Sequence, residues 1–186
     1  EKLFLERFRI ECTKRWDYIC EPLSINTYQY REAALLDIGN GPCGILNFIP
    51  GNIKVGIDPN NKMYRENEIL YNVEESVSYI TCPAEKLPLP GEYFDFISCV
   101  NVLDHVSDPQ IVLDEIIRVL KPGGVFFLSV DTRKEEETSL VHPHAFDGDK
   151  FIEMAVPLVC LYARNDQPCY DDNPVNKRFD GWFRKP

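Results

Sequence analysis

ALLDIGNGPCG, residues 34–44, decides the fold of this chain. In it an apolar run carries one acid, Asp37, and is followed at once by Gly39, Gly41 and Gly44. Glycines at the junction between a strand and a helix let the backbone turn tightly, and they leave room for a ligand because they carry no Cβ. The stretch therefore predicts a ligand site at the carboxyl end of a first, buried strand.

Apolar runs and helical patterns alternate from this strand onward. We predict strands over 33–39, 52–58, 76–82, 94–101 and 123–131, and helices over 43–49, 61–72 and 108–120. Asp108 and Pro109 mark the start of the last helix as N-cap and first helical residue, and the Lys121-Pro122-Gly123-Gly124 turn closes it. Such alternation is typical of a parallel sheet covered by helices on both faces. The predicted fold class is α/β, with a doubly wound, mostly parallel Rossmann-like sheet.

Both ends of the chain extend this core. The spacing of apolar residues predicts an amphipathic helix over 3–21, which Pro22 ends. Towards the other end we predict a helix from about 147, a strand over 156–164, a loop over 165–177 and an antiparallel strand over 179–184 that adds a hairpin to the sheet edge. We expect one domain over 1–186, with an N-terminal helix and connector over 1–32 and the Rossmann-like core over 33–186.

Composition narrows the class of partner. The formal net charge is -10, and the lysines and arginines form no basic cluster, which argues against a nucleic-acid partner. No signal segment opens the chain, and no apolar run approaches the roughly 18 residues needed to span a bilayer. The seven cysteines are odd in number and include no C-x-x-C pair, which favours a reducing compartment. We expect a cytoplasmic protein without a membrane partner, and the oligomeric state stays open.

The glycine pattern by itself leaves two classes of cofactor open. Gly39-x-Gly41-x-x-Gly44 satisfies the dinucleotide fingerprint, and Asp58 follows about 20 residues later, where a ribose-binding acid is expected. Asp37 argues against a dinucleotide, because a carboxylate about 4 Å from a pyrophosphate costs roughly 4 kcal/mol at an effective dielectric of 20. S-adenosylmethionine instead presents an ammonium and a sulfonium group, which an acid attracts.

Asp37-x-Gly39-x-Gly41 resembles motif I of the class I S-adenosylmethionine-dependent methyltransferases. Asp58, just before Pro59, is similar to the acid at the end of the family's second strand, which accepts both ribose hydroxyls. A carboxylate suits this task because it can accept two hydrogen bonds from a vicinal diol.

Residues 84–130 resemble the following stretch of the same family, in its ubiquinone-methyltransferase-like, type 11 branch. The resemblance implies S-adenosylmethionine as cofactor and S-adenosylhomocysteine as product. It implies that ten residues bind the cofactor: Asp37, Gly39, Asn40, Gly41, Asp58, Pro59, Ala84, Glu85, Val100 and Asn101. Two positions depart from the family pattern: Cys43 stands where a glycine is usual, and Pro83 stands where many members carry an acid for the adenine amino group.

Methyl transfer from a sulfonium needs alignment of the acceptor more than a fixed catalytic group. For a hydroxyl acceptor, a general base adds about 10² to 10⁴ in rate. His105 and His144 are the candidate catalytic residues because they follow strands four and five, on the side of the sheet where ligands collect; a structural role is the alternative for each. No acid or cysteine stands at ligand spacing beside His142 and His144, so we predict no metal site.

The sequence thus predicts a methyltransferase acting on a hydroxyl or amine of a small molecule. Two alternatives remain. A non-catalytic S-adenosylmethionine-binding or regulatory domain of the same fold is suggested by Cys43 and Pro83. A nicotinamide-dependent oxidoreductase is supported only by the glycine pattern and Asp58.

Overall fold

A single seven-stranded sheet organises the structure, a computed structural model that describes residues 10, 13–25, 27–69, 76–168 and 177–186. The strands are β1 (Ala34–Ile38), β2 (Ile53–Ile57), β3 (Ser78–Ile80), β4 (Phe94–Val100), β5 (Leu120–Thr132), β6 (Val159–Pro168) and β7 (Lys177–Arg184). Their order across the sheet is β3-β2-β1-β4-β5-β7-β6. The first five pair in parallel, and β7 pairs antiparallel with both β5 and β6. This confirms the predicted α/β class with an antiparallel C-terminal strand.

Four helices surround the sheet in the described part of the chain: α1 (residues 13–20), α2 (Asn61–Glu66), α3 (Pro109–Val119) and α4 (Gly148–Met154). The Asp108 side chain accepts hydrogen bonds from the backbone N–H groups of Gln110 and Ile111, which confirms the predicted N-cap of α3. Asp147 caps α4 in the same way through the N–H of Lys150. Between β1 and β2 the predicted short helix is a 3-10 turn, Ile45–Phe48. No helix among the described residues combines the length and the apolar character needed to cross a bilayer.

Both faces of the sheet are buried, as a doubly wound sheet requires. On one face, Leu36 and Ile97 belong to a core that includes the apolar sides of α3 and α4. On the other face, Leu35 packs in a second core with Trp16 and Ile19 of α1. The indole N–H of Trp182 on β7 donates to the carbonyl of Ile19 at 2.7 Å and fastens α1 to the sheet.

The helix that we predicted over 61–72 ends earlier, at Glu66. Glu68 takes a left-handed backbone with φ 57°, and its N–H donates to the carbonyl of Arg65. The N–H of Ile69 reaches back to the carbonyl of Tyr64. These two bonds form a Schellman closure, which usually has glycine at the left-handed position, so no local pattern marks the end of this helix. Residues 70–75 lie outside the described part of the chain.

The C-terminal prediction was wrong in its boundaries. The strand predicted over 156–164 begins at Val159 and continues to Pro168, so residues 165–168 are strand and not loop, and Lys177 already belongs to β7. Pairing with β7 extends β6, and a proline is tolerated at the end of this edge strand. The hairpin strands do join the sheet beyond β5, but the last strand takes the inner place. Residues 169–176, and residues 3–9, 11 and 12 of the predicted first helix, lie outside the described part.

The strand order also positions a ligand site. From β1 the chain proceeds to β2 and β3 on one side, whereas β4 and β5 lie on the other side. Connections therefore diverge at the carboxyl ends of β1 and β4, which is where open α/β sheets form a crevice for ligands.

Candidate functional site

The glycine turn after β1 is shaped by its backbone. Gly39 and Gly41 have φ of 72° and 58°, in the left-handed region that favours glycine. The N–H of Gly39 donates to the carbonyl of Ile57 at 2.7 Å, so the turn is fastened to the end of β2. A Cβ on Gly39 would overlap the Cγ2 of Val102, which faces it from the loop after β4. Position 39 therefore requires glycine for two reasons, its left-handed backbone and the lack of room for a Cβ.

Asp58, directly after β2, faces this turn. Its Oδ2 accepts from the N–H of Gly41 at 3.1 Å, and its Oδ1 accepts from the N–H of Asn60 at 2.8 Å. The residue is 7% exposed. Each carboxylate oxygen has a second lone pair, so the two backbone bonds orient the group and leave acceptor capacity for a ligand diol.

A cleft of about 380 Å³ opens between the glycine turn and the loop after β4. Its volume lies within the range of small-molecule sites. Six of the ten predicted cofactor residues line it together with one predicted catalytic residue: Gly39, Asp58, Pro59, Ala84, Glu85, Asn101 and His105. Most of the residues that the sequence predicts to bind the cofactor therefore lie at this one cleft.

Two of these lining residues are fixed by the backbone around them. Glu85 Oε1 accepts from the N–H of Ser107 at 2.8 Å, which links the loop after β3 to the loop before α3. Asn101 has φ 56°, unusual for a residue other than glycine, and its N–H donates to the carbonyl of Ser129 on β5 at 2.7 Å. The turn at Asn101 points the chain away from the sheet and opens the cleft wall.

Asp37 lies beneath the glycine turn and is not among the residues that line the cleft. The carboxylate is 5% exposed, and its Oδ1 accepts from the hydroxyl of Ser98 at 2.7 Å. A Cβ on Gly44 would come within 2.9 Å of its Oδ2, so the turn closes directly over the acid. Burial raises the pKa of Asp37 to about 6, against the opposing effect of the Ser98 hydrogen bond.

Asn40 connects the glycine turn to the next two elements. Its side-chain amide forms a reciprocal pair with that of Asn61, with hydrogen bonds of 2.9 and 3.0 Å. Asn61 also donates to the carbonyl of Ile80 at 2.9 Å, at the end of β3. Neither side chain lines the cleft. Asn61 was not predicted from the sequence, because nothing in the local pattern pairs two amides 21 residues apart.

The three histidines differ in their partners. The His105 Nδ1 lies 2.8 Å from the carbonyl of Val141, and the His144 Nε2 lies 2.7 Å from the carbonyl of Val106. The His142 Nδ1 lies 2.8 Å from the Oδ2 of Asp104. Of the three, His105 lines the cleft. Because a carbonyl oxygen only accepts hydrogen bonds, the Nδ1 of His105 carries a proton.

A histidine cluster, defined here as Asp104, His105 and His142, stands beside the cleft. Asp104 is completely buried, and its Oδ2 also accepts from Arg133 Nη2 at 3.1 Å. Its Oδ1 has no hydrogen-bond partner in the structure. The His105 Nε2 lies 3.8 Å from Oδ2, and the two imidazole centroids are 4.3 Å apart. The sequence offered no acid near His142, but the fold supplies one from a position 38 residues away.

Comparisons with known proteins agree with this geometry. The family described as "Methyltransferase domain" matches residues 36–128, which is half of the chain. The "Ubiquinone biosynthesis O-methyltransferase" of Pseudomonas putida is 33% identical over 146 residues, covering 73% of this chain and 60% of that protein. Across the first curated relatives, this chain spans about half of their length.

Solved structures share the fold. A putative sarcosine dimethylglycine methyltransferase from Galdieria sulphuraria superposes with a TM-score of 0.74 at 16% identity, covering 93% of this chain and 86% of that one. Phosphoethanolamine N-methyltransferase 2 of Haemonchus contortus, solved in complex with S-adenosyl-L-methionine, gives a TM-score of 0.65 at 16% identity, with 84% and 49% covered.

Proposed function

Because this chain belongs to the class I S-adenosylmethionine-dependent methyltransferases, we propose that it moves a methyl group from S-adenosylmethionine to a hydroxyl or amine of a small molecule. The observation that carries the proposal is the cleft at the carboxyl ends of β1, β2 and β4. There the Asp58 carboxylate faces a glycine turn that is open to a ligand. The dinucleotide alternative is set aside by the family match.

In this proposal the ten residues predicted from the sequence divide into two groups. Those that line the cleft contact the cofactor, with Asp58 accepting from the ribose hydroxyls and Ala84 and Glu85 lying at the adenine. The other four do not line the cleft and support the conformation of the glycine turn and of the end of β4: Asp37, Asn40, Gly41 and Val100. Asp37 also adds negative charge beneath the site, which favours a cationic cofactor over a diphosphate.

The methyl acceptor enters from the side of segment 132–150. A second cavity, of about 550 Å³, opens along this segment. Arg133 lines it and also reaches Asp104, the neighbour of His105 in the cleft wall. A relative named as an O-methyltransferase and a neighbour named as an N-methyltransferase support a hydroxyl or amine as the accepting group.

The bound cofactor supplies an electrophilic methyl group, and the residues of this chain orient the acceptor towards it and exclude water. His105 is the catalytic candidate in direct reach, since its Nε2 is not used by the Val141 carbonyl and can take a proton from a hydroxyl. His144 holds the carbonyl of Val106, a residue of the cleft wall, and so serves the site as a positioning residue.

Calorimetric titration with S-adenosylhomocysteine tests the cofactor site. We expect saturable binding with one site per chain, and Asp58→Asn is expected to weaken it by about 10- to 100-fold, the equivalent of one charge-assisted hydrogen bond. The matched control is Asp114→Asn on the exposed side of α3, which leaves the affinity unchanged. Absence of binding to the wild-type chain would contradict the proposal.

Transfer itself is measured as S-adenosylhomocysteine released with a panel of phenols, alcohols and amines. Turnover with at least one acceptor supports an enzyme. Binding without turnover across the panel supports the alternative of a non-catalytic domain of the same fold.

We also propose that the chain works as one domain over 1–186 in the cytoplasm, with a small-molecule substrate and no nucleic-acid or membrane partner. The single sheet supports one domain, and the net charge of -10 argues against a nucleic-acid partner.

A further inference from the structure

We propose that Asp104, His105 and His142, the histidine cluster, bind a divalent transition-metal ion of the zinc type on the wall of the cleft. One carboxylate oxygen and one ring nitrogen from each histidine lie within 4.8 Å of one another. Three protein ligands with room for a further one are the usual form of a catalytic metal site. The site is distinct from the cofactor cleft but adjoins it through His105.

The buried carboxylate is the first argument. Asp104 is fully buried, and both of its hydrogen bonds, from Arg133 and from His142, fall on Oδ2. Oδ1 is left without a donor. A buried polar atom without a partner costs about 1–3 kcal/mol, and a cation bound by both carboxylate oxygens would give Oδ1 the partner that it lacks.

The orientation of His105 is the second argument. The Val141 carbonyl fixes the proton on Nδ1, so in the neutral ring the lone pair is on Nε2, which lies 3.8 Å from Asp104 Oδ2. Two electron-rich atoms then face each other with no proton between them. Metal-binding histidines almost always donate their other N–H to a carbonyl or carboxylate, which is the arrangement that His105 has here.

Arg133 fits the site as an outer partner. A carboxylate that binds a metal is commonly held by a further hydrogen bond, and Arg133 supplies it at 3.1 Å. In the metal-free protein the proton on His142 Nδ1 bridges to Oδ2. Binding of the ion through that nitrogen, or a rotation of the ring that presents Nε2, replaces this bridge.

The donor set indicates the class of metal. Two imidazoles and one carboxylate suit Zn²⁺, Co²⁺, Ni²⁺ or Fe²⁺, whereas Mg²⁺ prefers a shell of oxygen atoms. Such an ion next to the cleft would bind the hydroxyl oxygen of the acceptor and lower the pKa of that hydroxyl, so that its proton is lost to water. In that form His105 acts through the ion and not by taking the proton itself. This last step rests on the proposed function; the metal site does not.

Titration of Co²⁺ into the tag-free chain, stripped of metal with a chelator, tests the site without cofactor or acceptor. We expect saturable visible d–d bands with one ion per chain and no thiolate charge-transfer band, since no cysteine belongs to the site. Zn²⁺ should displace Co²⁺, and Mg²⁺ should not. His105→Ala and His142→Ala should each weaken Co²⁺ by more than about 10-fold, the lower limit for loss of even an outer-shell group.

The matched control is His144→Ala, which removes a histidine of the same segment that bonds the Val106 carbonyl and leaves Co²⁺ affinity unchanged. Because Asp104→Asn removes the charge from a buried ion pair, its folding is checked by thermal melting before its affinity is compared. Three outcomes would overturn the site: no saturable binding to the wild-type chain, Co²⁺ affinity equal to that of the wild type in both His105→Ala and His142→Ala, or a thiolate band. Any of these outcomes leaves the binding of S-adenosylhomocysteine untouched, so the two proposals fail separately.

Discussion

A buried carboxylate lies behind each of two walls of the cleft, the glycine wall at the turn after β1 and the histidine wall at the loop after β4, and the two carboxylates are held in different ways. On one wall Asp37 lies under the glycine turn, with the neutral hydroxyl of Ser98 as a partner at 2.7 Å. On the other wall Asp104 is paired with the guanidinium of Arg133 and the imidazole of His142. The turn that covers Asp37 comes from one short stretch of sequence, whereas the charged and imidazole partners of Asp104 come from the segment that follows β5.

The difference indicates that backbone conformation determines the shape of the site on one side, whereas side-chain contacts determine its chemistry on the other. Backbone conformation makes the glycine wall, so steric and conformational changes there should have the largest effect. Side chains from separate loops make the histidine wall, so single substitutions should alter its chemistry more than its fold. Four substitutions test this division, and they follow in order of decreasing effect.

The largest effect is expected from Gly39→Ala. Its left-handed backbone costs about 1–2 kcal/mol for alanine, and the overlap with Val102 adds about 1–3 kcal/mol, so the free energy of unfolding should fall by roughly 2–5 kcal/mol. Urea denaturation measures it. Gly41→Ala is the control, since φ is similar but no atom lies within 4 Å of the added Cβ. It should lose only about 1–2 kcal/mol. Equal losses would show that Val102 does not constrain the turn.

The second prediction concerns the pH dependence of stability at Asp37. Its folded pKa is raised to about 6 from a usual value of 3.8, so its stabilising contribution is complete below about pH 4 and is lost as the pH rises through about 6. The full loss is about 3 kcal/mol, from the size of the shift. Urea unfolding of wild type and Asp37→Asn across this range measures it: the difference between the two should change in favour of the variant as the pH rises.

Ser98→Ala provides the opposite change for the same acid. The Ser98 hydrogen bond lowers the pKa of Asp37, so its removal should raise that pKa further. The loss of stability with rising pH should therefore continue to a higher pH in Ser98→Ala than in the wild type. If both variants follow the wild-type pH profile, Asp37 is not the group that titrates.

The smallest effect is expected at the histidine wall, from His144→Ala. Its hydrogen bond to the Val106 carbonyl is partly exposed, so the free energy of unfolding should fall by about 1 kcal/mol. Urea denaturation measures this change in the free energy of unfolding. A loss as large as that of Gly39→Ala would mean that this wall also determines the fold, and the division drawn above would not hold.

The fold could be predicted from the sequence to a large extent because its signals are local. The glycine turn, the Asp108 cap and the apolar strands each act within a few residues, and they predict the α/β class and most of the element boundaries to within two residues. The end of α2 at Glu66 was missed because its closure uses Glu68 in place of a glycine. The length of β6 was missed because pairing with β7, not local propensity, extends it.

The candidate cleft could be predicted from the sequence for a similar reason. Asp58 and Asn101 each follow a strand, and the carboxyl ends of neighbouring parallel strands meet at one edge of the sheet. Gly39 and these two residues line the same cleft. The sequence could not tell that Asp37 supports the turn from beneath, since that depends on Ser98 of the neighbouring strand β4.

The sheet, the turn after β1 and the resemblance to the family can thus be inferred from the amino-acid sequence, because periodicity, glycine conformation and motif spacing act along the chain. The three-dimensional fold is needed to see that Asp104, Arg133 and His142 meet, and which nitrogen of His105 carries the proton. A contact between residues so far apart has no local signature. It arises when the loops after β4 and β5 fold over the same edge of the sheet.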